Sequence, residues 1–188
     1  MNDCTFFDRS KAPRLLRPFC PNVYAEHVSD LQPEHLLERG IRHVFLDLDN
    51  TLTPWRSREV ADEVEGWLAK GHAAGLRFCI LSNTRNMARL QSLSEMLEVP
   101  YVRARMKPSR RGFLLGMERL GATPRDSAMV GDQLFTDIWG GNRVGMLTIW
   151  VRPLHPREFL GTKISRLLER CILRWVRRAE LPRGTLST

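Results

Sequence analysis

The chain has 188 residues, a mass of 21.7 kDa, 43% apolar and 27% charged side chains, and a formal net charge of +8. That length suits one compact domain with short appendages, and the apolar content is enough for a sizeable core, which excludes wholesale disorder. No stretch approaches the ~18 apolar residues that cross a bilayer, and the opening MNDCTFFDRSKAPRLL lacks the basic start and long apolar run of a secretory leader, so a cytoplasmic protein is expected.

In chain order, residues 1–40 carry Pro13, Pro18, Pro21 and Pro33 and read as a wrapping arm with one short helix in QPEHLLERG. From residue 41 to 151 short apolar runs alternate with longer amphipathic ones. The runs HVFLDL, LRFCILS, VPYV, SAMVG and MLTIWV predict about five strands. Helices are expected over 58–74, 84–97, 109–120 and 135–144, with Gly75 and Gly121 placed to stop two of them. This alternation is the signature of an α/β fold, a parallel sheet with helices on both faces, and it assigns 41–156 to one domain. After Pro156, Leu160, Ile164, Leu167, Leu168, Cys171, Ile172 and Trp175 recur at helical spacing beside a stripe of Lys163, Arg166, Arg170, Arg174 and Arg177. Residues 157–188 are therefore expected to hold an amphipathic helix with a basic flank.

The four cysteines, Cys4, Cys20, Cys79 and Cys171, share no metal-knuckle spacing and suggest no disulfide framework, so reduced thiols are expected. The five histidines likewise show no pairing at ligand spacing.

Chemistry concentrates at four expected strand ends. In FLDLDNTLT an apolar run ends in Asp47 and Asp49, with Thr51 two positions on. Ligands of open α/β sheets bind at the carboxyl ends of strands. Alternation in an extended segment would put both carboxylates on one side, close enough to repel, and a divalent cation is the natural relief. The second strand ends in Ser82 and Asn83 just before a helix, where a hydroxyl and free backbone N–H groups make an anion site. Lys107 precedes a helix opening at Ser109, and MVGDQLFTDI places Asp132 after Gly131 and Asp137 five residues later. Each residue also has a plainer reading. Asp49 and Thr51 alone could be turn residues, Ser82 an N-cap, and Asp137 a cap for the helix around Ile138.

Taken together, DLDNT, the serine of LSNT, the lysine of MKP and GDQLFTD occur in the order of the four motifs of the haloacid dehalogenase (HAD) superfamily of phosphohydrolases, and the chain resembles that superfamily. The resemblance implies a HAD-like Rossmannoid sheet. It implies Asp47 as the nucleophile that forms an aspartyl-phosphate, and Asp49 as the acid that protonates the leaving alkoxide and then activates water. Thr51, Ser82 with Asn83, and Lys107 would hold the phosphoryl oxygens. Mg²⁺ would be bound by Asp47, the main-chain carbonyl of Asp49, Asp132 and, as a second-sphere or direct ligand, Asp137.

Thirty-five residues separate Asp47 from Ser82 and 25 separate Ser82 from Lys107, which leaves no room for a cap domain. An uncapped site admits a phosphate carried by something large. Six basic residues between Lys163 and Arg178 would draw the tail to an anionic leaflet at roughly 1 kcal/mol each before discounting, although the same helix could simply pack on the sheet domain. The stretches NVYAEHVSDLQPEHLLERGIRHVFLDLDNTLTPW, GDQLFTDIWGGNR and ISRLLERCILRW are similar to the YqeG-type branch of the superfamily, itself similar to mitochondrial phosphatidylglycerophosphatases. That similarity implies a phosphorylated lipid substrate met at the inner face of the membrane, with Arg105, Arg110 and Arg111 as candidates to read a second phosphate. Alternatives are a phosphatase of soluble or nucleic-acid phosphates, or a non-catalytic basic adaptor. No stretch interleaves aromatic with basic residues as single-strand binders do, so nucleic acid is not the expected partner. Nothing in the sequence points to an oligomeric state.

Overall fold

The computed structural model describes residues 4–104 and 107–155. Arg105 and the basic tail from residue 157 onward, on which the membrane reading of the sequence rests, lie outside the described residues. The elements run β1 (Thr5–Phe6), β2 (Val23–Ala25), α1 (Pro33–Glu38), β3 (His43–Leu46), α2 (Asp62–Ala74), β4 (Arg77–Ser82), α3 (Met87–Met96), β5 (Tyr101–Arg103), α4 (Arg110–Leu120), β6 (Ser127–Gly131), α5 (Trp139–Val144) and β7 (Leu147–Val151).

They build one seven-stranded sheet in the order β1-β2-β7-β6-β3-β4-β5, with every neighbouring pair parallel except β1 with β2. All five expected strands are present. The two additional strands come from the segment ahead of residue 41, where β2 pairs Val23 with Ile149 on the edge of β7. Two and three residues are too few to carry a period-2 pattern, so pairing to an existing edge, rather than local sequence, makes them strands. Asn22 Oδ1 holds the same join by accepting the Thr148 backbone N–H at 3.0 Å, and elsewhere along the arm Trp67 Nε1 of α2 donates to Leu31 O at 2.6 Å.

Alternation along the central strands divides the core in two. Val44, Leu46, Ile80, Val130 and Ile149 face α2 and α3 and pack with Trp67, Leu68, Leu90 and Leu93. Phe45, Cys79, Leu81 and Met129 face the opposite way, against Phe113, Met117 and Val144 of α4 and α5. Each such side chain contributes about 1.5–3 kcal/mol on full burial, so both faces of β3 are anchored and its carboxyl end is held firmly. The thiols of Cys20 and Cys79 are buried, which pushes them up to about 11 and about 12, and both stay protonated at neutral pH.

The helix ends differ from the sequence expectation for local reasons. α2 begins at Asp62 rather than Arg58, because Thr53 Oγ1 donates to Glu59 O at 2.7 Å and keeps that stretch in a turn. α3 begins at Met87 because the Asn86 side chain accepts the Arg89 N–H at 3.0 Å as its N-cap. α2 ends where Gly75 takes a left-handed φ of 99°. The last expected helix is two pieces, a π-helical turn over Leu134–Ile138 followed by α5. Among the described residues no domain is inserted between the motif strands, and no helix is long and apolar enough to cross a membrane.

Candidate active site

β3, β4 and β6 are adjacent and parallel, so their carboxyl ends open on the same edge of the sheet. Asp47 directly follows β3, and its N–H donates to Val130 O at 2.9 Å, one step beyond the strand. Asp132 follows β6 in the same way. Asp137 reaches the site from the π-helical turn, which directs its carboxylate back toward Gly131. A Cβ on Gly131 would lie 2.3 Å from Asp137 Oδ2, so only glycine leaves space for that carboxylate. Asp137 Oδ2 accepts the Gln133 N–H at 3.1 Å. The plain capping role considered from sequence describes only half of what Asp137 does.

Its other oxygen faces Lys107. Lys107 Nζ donates to Asp137 Oδ1 at 2.7 Å, to Leu81 O at 2.8 Å and to Asp47 Oδ1. Asn83 sets this lysine in place: its Oδ1 accepts the Lys107 backbone N–H at 2.8 Å. Ser82 is buried, with Oγ accepting the Thr84 N–H at 3.1 Å, and Thr51 is buried with Oγ1 lacking a hydrogen-bond partner among the described residues. An orphaned buried hydroxyl at this point is an open donor for a bound oxyanion.

Carboxylate oxygens of Asp47, Asp132 and Asp137 lie within 4.8 Å of one another, and all three residues are buried. Against three carboxylates there is one ammonium, so full ionisation leaves two negative charges in a buried cluster. Burial pushes Asp47 up to about 7, Lys107 opposes this, and Asp137 adds to it. Burial also works against the charge on Lys107, but Asp137 and Asp47 outweigh it and hold its pKa above the ordinary lysine value. A small divalent cation with oxygen ligands balances the remaining charge, and the donor set fits one.

Asp49 stands apart. Its carboxylate is not in the acidic triad. Arg89 Nη1 pairs with Asp49 Oδ1 at 2.9 Å, and the Arg56 N–H donates to the same oxygen at 3.0 Å. Any part of Asp49 in holding a cation is left to its main-chain carbonyl. Arg89, which the sequence reading did not single out, is 3% exposed and donates through Nε to Ser57 O at 2.6 Å. The available signal was its place four residues before Leu93, on the buried face of α3.

Floor and rim together enclose a cavity of about 700 Å³ lined by Asp47, Ser82, Asn83 and Lys107 below and Asp49, Trp55, Arg56, Arg85 and Arg89 above. The Arg56 guanidinium lies 4.4 Å from the centre of the Trp55 ring. Arg110 and Arg111, considered from sequence as readers of a second phosphate, are exposed on α4 and do not line this cavity.

Comparison with known proteins gives the family. The HAD-hydrolase-like family model matches residues 104–153. Probable phosphatase YqeG of Bacillus subtilis (strain 168) is 32% identical over 164 residues, which cover 87% of this chain and 95% of that protein. The chain belongs to the HAD superfamily of phosphatases, in its YqeG-type branch. This HAD chain is also 27% identical over 172 residues to phosphatidylglycerophosphate phosphatase 1, chloroplastic/mitochondrial, of Arabidopsis thaliana, covering 86% of its own length and 49% of that relative. It thus spans about half of the plant protein. Among solved structures, a protein from Listeria monocytogenes serotype 4b shares the HAD chain's fold with a TM-score of 0.51 at 17% identity, over 71% of this chain and 99% of that one.

Proposed function

We propose that this HAD phosphatase uses Mg²⁺ and removes the terminal phosphate of phosphatidylglycerophosphate, leaving phosphatidylglycerol. The observation that carries the reading is the convergence of the buried Asp132 and Asp137 on Asp47 and Lys107, which line a cavity with no domain over it among the described residues. Asp47, Asp132 and Asp137 would hold Mg²⁺, and when bound it supplies positive charge to the phosphoryl oxygens and to the Asp47 carboxylate. Lys107 fixes one Asp47 oxygen and presents positive charge to the transferring group. Asp47 attacks phosphorus as the bond to the leaving oxygen breaks, and Asp49 gives that oxygen its proton. Asp49 then takes a proton from the water that opens the aspartyl-phosphate, which returns both carboxylates to their starting states. Thr51 Oγ1 and the backbone N–H groups after Ser82 would bind phosphoryl oxygens.

Support for the lipid comes from the Arabidopsis relative and from the rim. Arg56 and Arg85 line the cavity mouth, and neither forms an ion pair with a carboxylate among the described residues. A substrate with a phosphodiester next to its terminal phosphate would meet both positive charges. We further propose that the basic tail holds the enzyme on the cytoplasmic face of an anionic membrane.

The test is phosphate release from phosphatidylglycerophosphate in mixed micelles, with and without Mg²⁺, beside a panel of soluble esters. Metal-dependent release that favours the lipid and vanishes in Asp47→Asn is the expected result. Turnover of soluble esters alone would keep the chemistry and discard the lipid.

A further inference from the structure

Arg89 is the most deeply buried arginine at the cavity and belongs to none of the four sequence motifs. Its guanidinium joins α3 to a turn more than 30 residues earlier in the chain. Nε donates to Ser57 O at 2.6 Å, Nη1 pairs with Asp49 Oδ1 at 2.9 Å, and Nη2 is buried without a partner among the described residues. The turn it meets is already closed on itself: Asn50 N–H donates to Thr53 O at 2.7 Å, and Thr53 Oγ1 donates to Glu59 O at 2.7 Å. Arg89 therefore fastens that turn, and Asp49 with it, to the first turn of α3, which Asn86 caps.

The consequence for Asp49 is an asymmetric carboxylate. Both donors, Arg89 Nη1 and the Arg56 N–H, meet Oδ1, and no described residue donates to Oδ2. Asp49 lines the cavity, so the oxygen left open is the one available to a ligand there. Asp49 Oδ1 is tied both to an arginine and to a backbone N–H, which restricts the carboxylate's rotation, and a lysine in place of Arg89 would not reach both Asp49 and Ser57.

We propose that Arg89 is a positioning residue for proton transfer: it locks Asp49 Oδ1 so that Oδ2 faces the leaving oxygen of the phosphate ester. The assignment rests on the reading of Asp49 as the acid and base of the proposed hydrolysis. Oδ2–H gives its proton to the leaving oxygen as the P–O bond breaks and Asp47 bonds to phosphorus. Oδ2 then takes a proton from the water that attacks the aspartyl-phosphate, and the proton count closes. In this role Arg89 acts through Asp49 and forms no bond to the reacting atoms.

The experiment compares two leaving groups in the full-length protein. An alkyl phosphate, phosphatidylglycerophosphate in micelles, needs its leaving oxygen protonated, while p-nitrophenyl phosphate departs as a stable phenolate and needs little help. Arg89→Gln is expected to lower kcat for the alkyl ester by about a hundredfold and for p-nitrophenyl phosphate by less than about fivefold. Arg89→Lys keeps the charge and reaches only one anchor, so it should show the same bias to a smaller degree. Asp49→Asn should reproduce the bias, and adding Arg89→Gln to it should cost little more. Equal losses on both esters, or full additivity with Asp49→Asn, would overturn the proposal and leave Arg89 as a structural residue of the turn. If Arg89→Gln does not fold, the leaving-group bias of Arg89→Lys decides alone. A wild-type enzyme inactive on both esters would instead refute the phosphatase reading on which the proposal rests.

Discussion

The floor and the rim of the cavity are built by different means. On the floor, Asp47, Asp132 and Lys107 follow strands or sit beside them, in a sheet whose two faces are both packed, and Asp137 is wedged against Gly131. On the rim, Asp49, Trp55 and Arg56 stand in a turn closed by its own hydrogen bonds and by one arginine from α3. The floor concentrates buried charge in the sheet, and the rim sets exposed arginines around one clamped carboxylate. On the proposed reading, nucleophile and cation site are fixed by the sheet, while proton transfer and recognition of the remainder of a substrate fall to the turns.

The largest break of that contrast is on the floor. Lys107→Ala removes the only ammonium among the described residues that meets both Asp47 and Asp137 and leaves buried carboxylates unpaired. Metal-free protein should lose about 3–5 kcal/mol by urea unfolding, and a cation added back should restore part of it. Gly131→Ala forces the Asp137 carboxylate out of its seat, and a destabilisation of about 1–3 kcal/mol is expected. The same variant should bind Mg²⁺ more weakly by calorimetry.

A third test uses pH. Asp47 is raised to about 7 from an ordinary value of 3.8, so the folded state binds a proton that the unfolded state has released, and this part of the stability declines as pH rises through that window. In a chelator, Asp47→Asn removes the dependence. Its melting temperature should gain on the native protein between pH 4 and 7 and stay ahead by a few degrees above pH 7. Saturating Mg²⁺ should narrow the gap. A constant difference across that range would mean that Asp47 ionises normally. The smallest expected effect is on the rim. Arg85→Gln should change stability by less than about 0.5 kcal/mol, yet raise KM for a substrate with two phosphates more than for one with a single phosphate.

How much of this was legible differs along the same line. Asp47, Ser82 and Asp132 could be placed from sequence because each ends or follows a run of apolar residues long enough to be recognised as a strand, and parallel strands bring their ends together, while Lys107 was read from the helix that opens after it. Asp137 was visible as a residue and ambiguous in role, since a π-helical turn leaves no periodic signature distinct from an α-helix over five residues. Asn83 was read as part of a phosphate site, and its side chain also grips the Lys107 backbone, a contact across 24 residues that no local pattern encodes. The expected helix starts at 58 and 84 gave way to the turn held by Thr53 and to the cap at Asn86.

By itself, then, the sequence determined the α/β class, the five central strands and the inventory of reactive groups, because apolar periodicity and strand-end carboxylates are local properties of the chain. Tertiary structure alone decided that the arm adds two strands to the sheet edge, that Lys107 bridges two carboxylates, and that Asp49 answers to Arg89 rather than to the acidic triad. Those outcomes depend on which unpaired edge, charge or carbonyl a residue meets after folding, and electrostatic and hydrogen-bond partners far apart in sequence are chosen only by the packed fold.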